Sequence, residues 1–172
     1  MSFLTSLMNS LGVTATRRNH ALEHATVAVL LERFGFTRSL AGRSNTKGFH
    51  IVGNVSQDEV KSAADEALKR MRNGEAGLAV SPFCGTNIAI TGILAGLLTL
   101  GLVGKKNRVE SLPNVLLGGM VAVLVGQPLG RVAQKYVTTK GDLGNLEIDE
   151  VSPSGMGPIK GLWVGTSQSA GR

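Results

Sequence analysis

Two stretches of this chain, NIAITGILAGLLTLGLV at 87–103 and LPNVLLGGMVAVLVGQPL at 112–129, carry no charged side chain. Nothing else limits the possible folds so strongly. With their flanking residues each reaches the ~20 residues a helix needs to cross hydrocarbon. Between them KKNRVES is short and basic, as suits a turn among lipid headgroups. Ser111 followed by Pro113 is a favourable start for the second helix. Small residues recur four apart, as Gly92 and Gly96 in the first segment and Gly118, Ala122 and Gly126 in the second. In water such glycines weaken a helix, whereas in lipid they let two helices approach closely. The pattern predicts a two-helix transmembrane hairpin; the alternative is a glycine-rich hairpin buried in a soluble core. The partners it implies are the lipid bilayer and, through the Gly/Ala-rich faces, other membrane proteins or a second copy. Lys105, Lys106 and Arg108 in the loop are balanced by Arg72, Arg131 and Lys135 outside it, so the positive-inside rule does not choose an orientation. The expected location is the inner (plasma) membrane, with the soluble part in the cytoplasm.

The remainder reads as a soluble α+β domain split by that hairpin. Residues 17–35 have helical periodicity, closed by Gly35 at the position where a helix ends. Lys47 to Val55 alternates as a strand, with Phe49, Ile51 and Val55 on one face and His50 on the other, in solvent. Ser56 and Glu59 form a capping box that opens a helix running to about Asn73 and stopped by Gly74. Leu78 to Val80 is expected as a short strand. Beyond the hairpin, LGRVAQKYVTTKG should prolong the second helix with a bend near Pro128. Leu146–Val151 and Ile159–Thr166 then form strands joined by the turn-rich SPSGMG. A two-stranded hairpin is marginal alone, so these strands should share a sheet with residues 47–55, and the first helix should lay Val27 and Leu31 on it. The expected fold is a small helix-on-sheet domain interrupted by a two-helix transmembrane hairpin. Its boundaries are an amphipathic segment at 1–16, the first part of the domain at 17–86, the hairpin at 87–130, and a helix extension with a C-terminal β-hairpin at 131–172.

Composition removes other classes. The formal charge of +6 admits an anionic partner, but aromatics are 4%, the basic residues are scattered, and no nucleic-acid-binding signature is present. Cys84 is the only cysteine, so no intramolecular disulfide is possible and a reducing compartment fits. The opening MSFLTSLMNSLGV has no basic region or small-residue cleavage site of a signal peptide. Its Phe3, Leu4, Leu7, Met8 and Leu11 recur at helical spacing, for a membrane surface or for the protein's own core.

The chemistry concentrates in HALEHATV at 20–27. On a helix His20, His24, Val27 and Leu31 share one face, and Glu23 leads the neighbouring row into Val27, Leu30 and Phe34. The imidazoles and the carboxylate therefore point toward the buried side, where an unpartnered polar group is costly. Two histidines one turn apart can share a zinc ion, and His20-x-x-Glu23-His24 matches the HxxEH pattern in which a glutamate activates zinc-bound water. A structural polar cluster, satisfied by backbone, is the competing reading. Zinc needs a third ligand, and Cys84 in SPFCGTN is the candidate; otherwise it is a small buried hydrophobe at a helix entrance. Thr86 or Asn87 could cap that helix. Glu147 and Asp149 alternate against Leu146 and Ile148 and form a solvated strand face.

RNHALEHATVAVL, AGRSNTKGFHIVGNVS, EVKSAADEALKRMRNGE and CGTN together resemble an uncharacterised family of bacterial membrane proteins defined only as a domain of unknown function. The resemblance covers roughly residues 17–103. It implies a membrane architecture and gives weight to the HALEH and CGTN segments, but no reaction. In that family a histidine is frequent three residues before the cysteine, where this chain has Ser81.

Two functions fit these features. One is an accessory or assembly subunit of a membrane complex, with a polar His/Glu cluster at the membrane surface. The other is a membrane-anchored zinc-dependent hydrolase, with His20, His24 and Cys84 on the metal and Glu23 as general base.

Overall fold

The computed structural model describes residues 11–103, 111–156 and 159–168. It falls into two compact units, residues 1–81 with 135–172 and residues 82–134. The sequence pattern sets these divisions a few residues away, at 86/87 and 130/131. The expected N-terminal segment through Met8 and the basic loop with Lys105, Lys106 and Arg108 lie outside the described residues.

The first unit is a helix pair on an antiparallel sheet. Helix α1 spans Leu11–Phe34, six residues longer at its start than the sequence suggests. It ends where expected, at Gly35, whose φ of +68° suits a residue without a Cβ. From Ala21 to Thr26 every side chain is buried, so the helix is enclosed on most of its circumference there. The row that fills the core is Leu22, Ala25 and Val29, with Leu30 beside it. Val27 packs on this core only partly, and Leu31 is not part of it. Strands β1 (Ala41–Asn45) and β2 (Gly48–Val52) follow, then helix α2 (Gln57–Arg72). The capping box is present: Glu59 N–H donates to Ser56 Oγ, and Ser56 N–H donates to the Glu59 carboxylate. Buried Ala63, Ala64 and Ala67 let α2 lie close to α1, while Arg33–Glu66 and Arg70–Glu32 pairs bridge the helices outside.

Strands β3 (Leu146–Met156) and β4 (Ile159–Gln168) complete the sheet in the order β1-β2-β4-β3, all neighbours antiparallel. The 47–55 segment and the C-terminal strands do share one sheet, with Phe49 opposite Val164 and Val164 opposite Val151. Phe49, Ile51, Leu146 and Val164 face the helices and are almost fully buried. Each such side chain contributes about 1.5–3 kcal/mol by leaving water.

Three local expectations fail. SPSGMG is not a turn, because Ser152 to Met156 continue β3; Pro153 is tolerated since β3 is an edge strand. Leu78–Val80 is not a strand: Ala76–Ala79 coil into a 3-10 turn. β1 forms where the sequence pattern marks no strand.

The second unit is a helical hairpin of α3 (Gly85–Val103) and α4 (Leu112–Ala133), packed against each other. The helical path after α4 continues as a wider π turn over Gln134–Thr138. Both helices are long and apolar enough to cross a membrane. On α4 the seam is Gly118, Ala122, Gly126 and Gly130, all buried. A Cβ at Gly126 would lie 3.0 Å from Thr91 Cα, and one at Gly130 would lie 3.0 Å from Asn87 Cα. The facing residues on α3 are therefore Asn87 and Thr91, with Leu98 and Leu102 against Gly118. Gly92 and Gly96, expected in this seam, lie off it: a Cβ added at either would meet nothing within 4 Å.

Candidate metal centre

His20 and His24 lie one turn apart on α1 with ring centroids 4.3 Å apart, edge to face. Each ring is held by a backbone carbonyl. His24 Nδ1 lies 2.8 Å from Ala79 O, at the end of the 3-10 turn, and His20 Nδ1 lies 3.0 Å from Thr138 O, at the end of the π turn. The last carbonyls of a helical turn have no partner within it, and here imidazoles supply one. A carbonyl can only accept, so both Nδ1 atoms must carry the hydrogen. In the neutral ring the lone pair is then on Nε2. Nδ1–H on a carbonyl with Nε2 as ligand is the usual arrangement of metal-binding histidine.

The neighbouring residues of α1 reinforce the same contacts. Arg17 Nη2 donates to Tyr136 O at 2.9 Å and to Thr139 O at 3.0 Å, and Lys140 N–H donates to Arg17 O. Asn19, fully buried, donates to Asn45 O and accepts from Thr166 Oγ1. Neither residue stands out in the sequence, although Asn19 precedes Leu22 by one helical step on the core face.

Glu23 takes a different direction. Its side chain is 6% exposed, and its carboxylate fills the space where Gly42 would carry a Cβ. Any side chain at position 42 would displace it. Gly42 of β1 is thus the backbone against which Glu23 rests.

Cys84 begins the hairpin unit. It is buried, its carbonyl accepts the first N–H bonds of α3 from Asn87 and Ile88, and Thr86 N–H donates to Sγ at 3.4 Å. Cys84 itself is thus the cap, not Thr86 or Asn87. Asn87 instead donates to Pro82 O and accepts from Gln134 Nε2 at 3.1 Å inside the hairpin. Cys84 follows Ala79 by five residues, so chain length alone keeps it within about 17 Å of the carbonyl that holds His24. His20 and His24 offer two imidazole donors side by side on α1, and Cys84, in the hairpin unit, offers a thiol. Two imidazoles and a thiolate are a donor set accepted by zinc and by other borderline metals.

His50 is not simply in solvent. It is half-buried, with Nδ1 3.2 Å from Ser154 Oγ and its ring 4.6 Å from that of Trp163. Glu147 and Asp149 are exposed, as expected of the strand's outer face.

Fold and donors define a helix-on-sheet protein with an apolar helical hairpin inserted between its second helix and its last two strands. The chain belongs to the family described as a domain of unknown function, DUF6391, whose model matches residues 15–151. It is also 35% identical to an uncharacterized protein of Picosynechococcus sp., over 78% of this chain and 70% of that one. No solved structure matches it.

Proposed function

We propose that the protein is a small integral membrane protein, an accessory or assembly subunit of a membrane complex, whose polar His cluster on α1 takes part in holding a metal ion. The observation that carries the membrane reading is the inverted surface of the hairpin. Leu97, Leu100, Leu116 and Leu124 are 62–78% exposed, while the glycines are buried. A hairpin kept in a soluble core would hide those leucines; only 6% of Gly85–Leu102 is buried. Gly92 and Gly96, open on α3, supply a smooth stripe against which a further membrane helix could pack, which favours an accessory role. The bacterial inner membrane, with the domain in the cytoplasm, is the location we assign.

His20 and His24 would bind the ion through Nε2, with Cys84 as third ligand. Zinc suits this set because it takes nitrogen and thiolate together in tetrahedral sites. The hydrolytic alternative needs Glu23 beside a zinc-bound water, and the packing of Glu23 on Gly42 gives that role no support.

Elemental analysis of the full chain, purified in mild detergent, tests the metal. Stoichiometric zinc is expected in the native protein, lost in His24→Ala and reduced in Cys84→Ser. His24→Ala should also cost about 1–3 kcal/mol, because Ala79 O loses its donor. Full zinc content in His24→Ala would contradict the assignment.

A further inference from the structure

The sheet face turned away from the helices carries a groove of about 440 Å³ lined by Lys47, Asp149, Glu150, Trp163, Gly165 and Thr166. Three features shape it. Gly48 and Gly165 are cross-strand partners, and the indole of Trp163 lies over them: a Cβ on Gly48 would meet ring atom Cζ2 at 2.9 Å, and one on Gly165 would meet Nε1 at 3.2 Å. One face of the ring is thereby applied to bare backbone. The irregularity in register between Ile148 and Glu150 interrupts the alternation of β3. Ile148 is partly buried on the core and Val151 is buried, so the two residues between them, Asp149 and Glu150, are both exposed. A bulge commonly serves to re-aim side chains in this way. Asp149 is steadied by Ser167 Oγ at 2.6 Å, and His50 flanks the indole, held by Ser154.

We propose that this groove is a docking site for a basic side chain, guanidinium or ammonium, of a partner polypeptide. An aromatic face with a carboxylate beside it attracts a cation through the ring quadrupole and direct charge pairing together. The chain as a whole is basic at +6. Within the groove, however, two carboxylates outnumber the single Lys47, so the local charge has the opposite sign. The apolar stem of Lys or Arg would lie along the indole, with its charged end between Asp149 and Glu150.

Trp163 is the only tryptophan, so it reports on its own site. The full-length protein in detergent is titrated with acetyl-arginine amide and with a Lys/Arg-rich dodecapeptide while tryptophan emission is followed. A saturable change is expected for both, tighter for the peptide and weakened at least tenfold in Asp149→Asn/Glu150→Gln. Those positions are exposed, so the variant should fold, and its unligated emission should match that of the native protein. No saturable change, equal affinity in the double variant, or an equal response to acetyl-leucine amide would overturn the proposal. So would a response to phosphatidylcholine vesicles without one to the peptide, which would make the cation a lipid headgroup.

Discussion

The two units of this chain are built on opposite plans. In the helix-on-sheet unit Phe49, Leu22, Leu30 and Ile51 are fully buried, and charged pairs such as Arg38–Glu59 and Arg33–Glu66 lie outside. In the hairpin the large apolar side chains are outside, and among the described residues the buried positions belong to small or polar ones: Cys84, Asn87, Ser111, Gly118, Ala122, Gly126, Gly130 and Gln134. Burial of apolar area can drive the first arrangement in water. It cannot drive the second, where close backbone contact and polar bonds such as Gln134 to Asn87 hold the helices. The contrast is what a lipid-facing hairpin beside a water-facing domain would show, and it supports the membrane proposal.

Truncations should feel this difference most. Phe49→Ala should destabilise the first unit by about 3–5 kcal/mol, through lost transfer energy and the cavity left behind. Leu100→Ala, at a site 78% exposed, should change stability in detergent by less than about 0.5 kcal/mol. Denaturant unfolding of both variants in the same micelles checks the pair; equal losses would mean that the hairpin hides a core of its own.

Glycine substitutions give the next largest contrast. Gly126→Leu forces a side chain against Thr91 Cα and should cost about 1–3 kcal/mol or separate the helices. Gly96→Leu enters open space and should leave the isolated protein unchanged. A loss of partner binding in Gly96→Leu, with stability retained, would sharpen the accessory reading. Crosslinking between cysteines introduced across the α3–α4 seam would show whether the helices separate.

The smallest effect is electrostatic and confined to the helix-on-sheet unit. Glu59 is held below the ordinary value of 4.5 because its carboxylate accepts the Ser56 N–H and pairs with Arg38. A lowered folded value means that its stabilisation is present above 4.5 and is lost as pH falls through the folded value. Glu66, beside Arg33, is shifted in the same direction. Glu59→Gln should therefore make the acid limb of the stability curve slightly shallower and leave the neutral region nearly parallel to the native curve. A thermal melt series from pH 3 to about 7 reads this directly.

Sequence and structure agree where local chemistry and periodicity point the same way. Ser56 with Glu59, Gly35 and Gly74 are devices whose effect reaches only a few residues, and each lies at the expected place. Phe49 and Ile51 alternate strongly enough to fix the face of β2. β1 is illegible because AGRSN has no apolar alternation; it exists through pairing with β2 and contact with α1, neither of which is a property of its own residues. The hairpin seam is half legible. In a helix apolar on all sides, small residues at spacing four do not tell which side meets the neighbour, and on α3 that side is Asn87 and Thr91. Of the candidate site, the pairing of His20 with His24 follows from helical spacing. The carbonyls that fix their tautomers come from residues 79 and 138, far along the chain: the first lies in a 3-10 turn where a strand is expected, and the second ends the expected helix extension, which nothing local pairs with α1. The HxxEH motif assigns Glu23 to catalysis, but its contact with Gly42 depends on β1, the strand without a sequence signal.

We propose that residues 85–133 are made for lipid and the rest for water. Alkaline carbonate extraction of cells expressing the full chain, followed by sedimentation, tests it most directly. The protein is expected to stay in the membrane pellet and to be released only by detergent. Recovery as a monodisperse species in the detergent-free soluble fraction would contradict it.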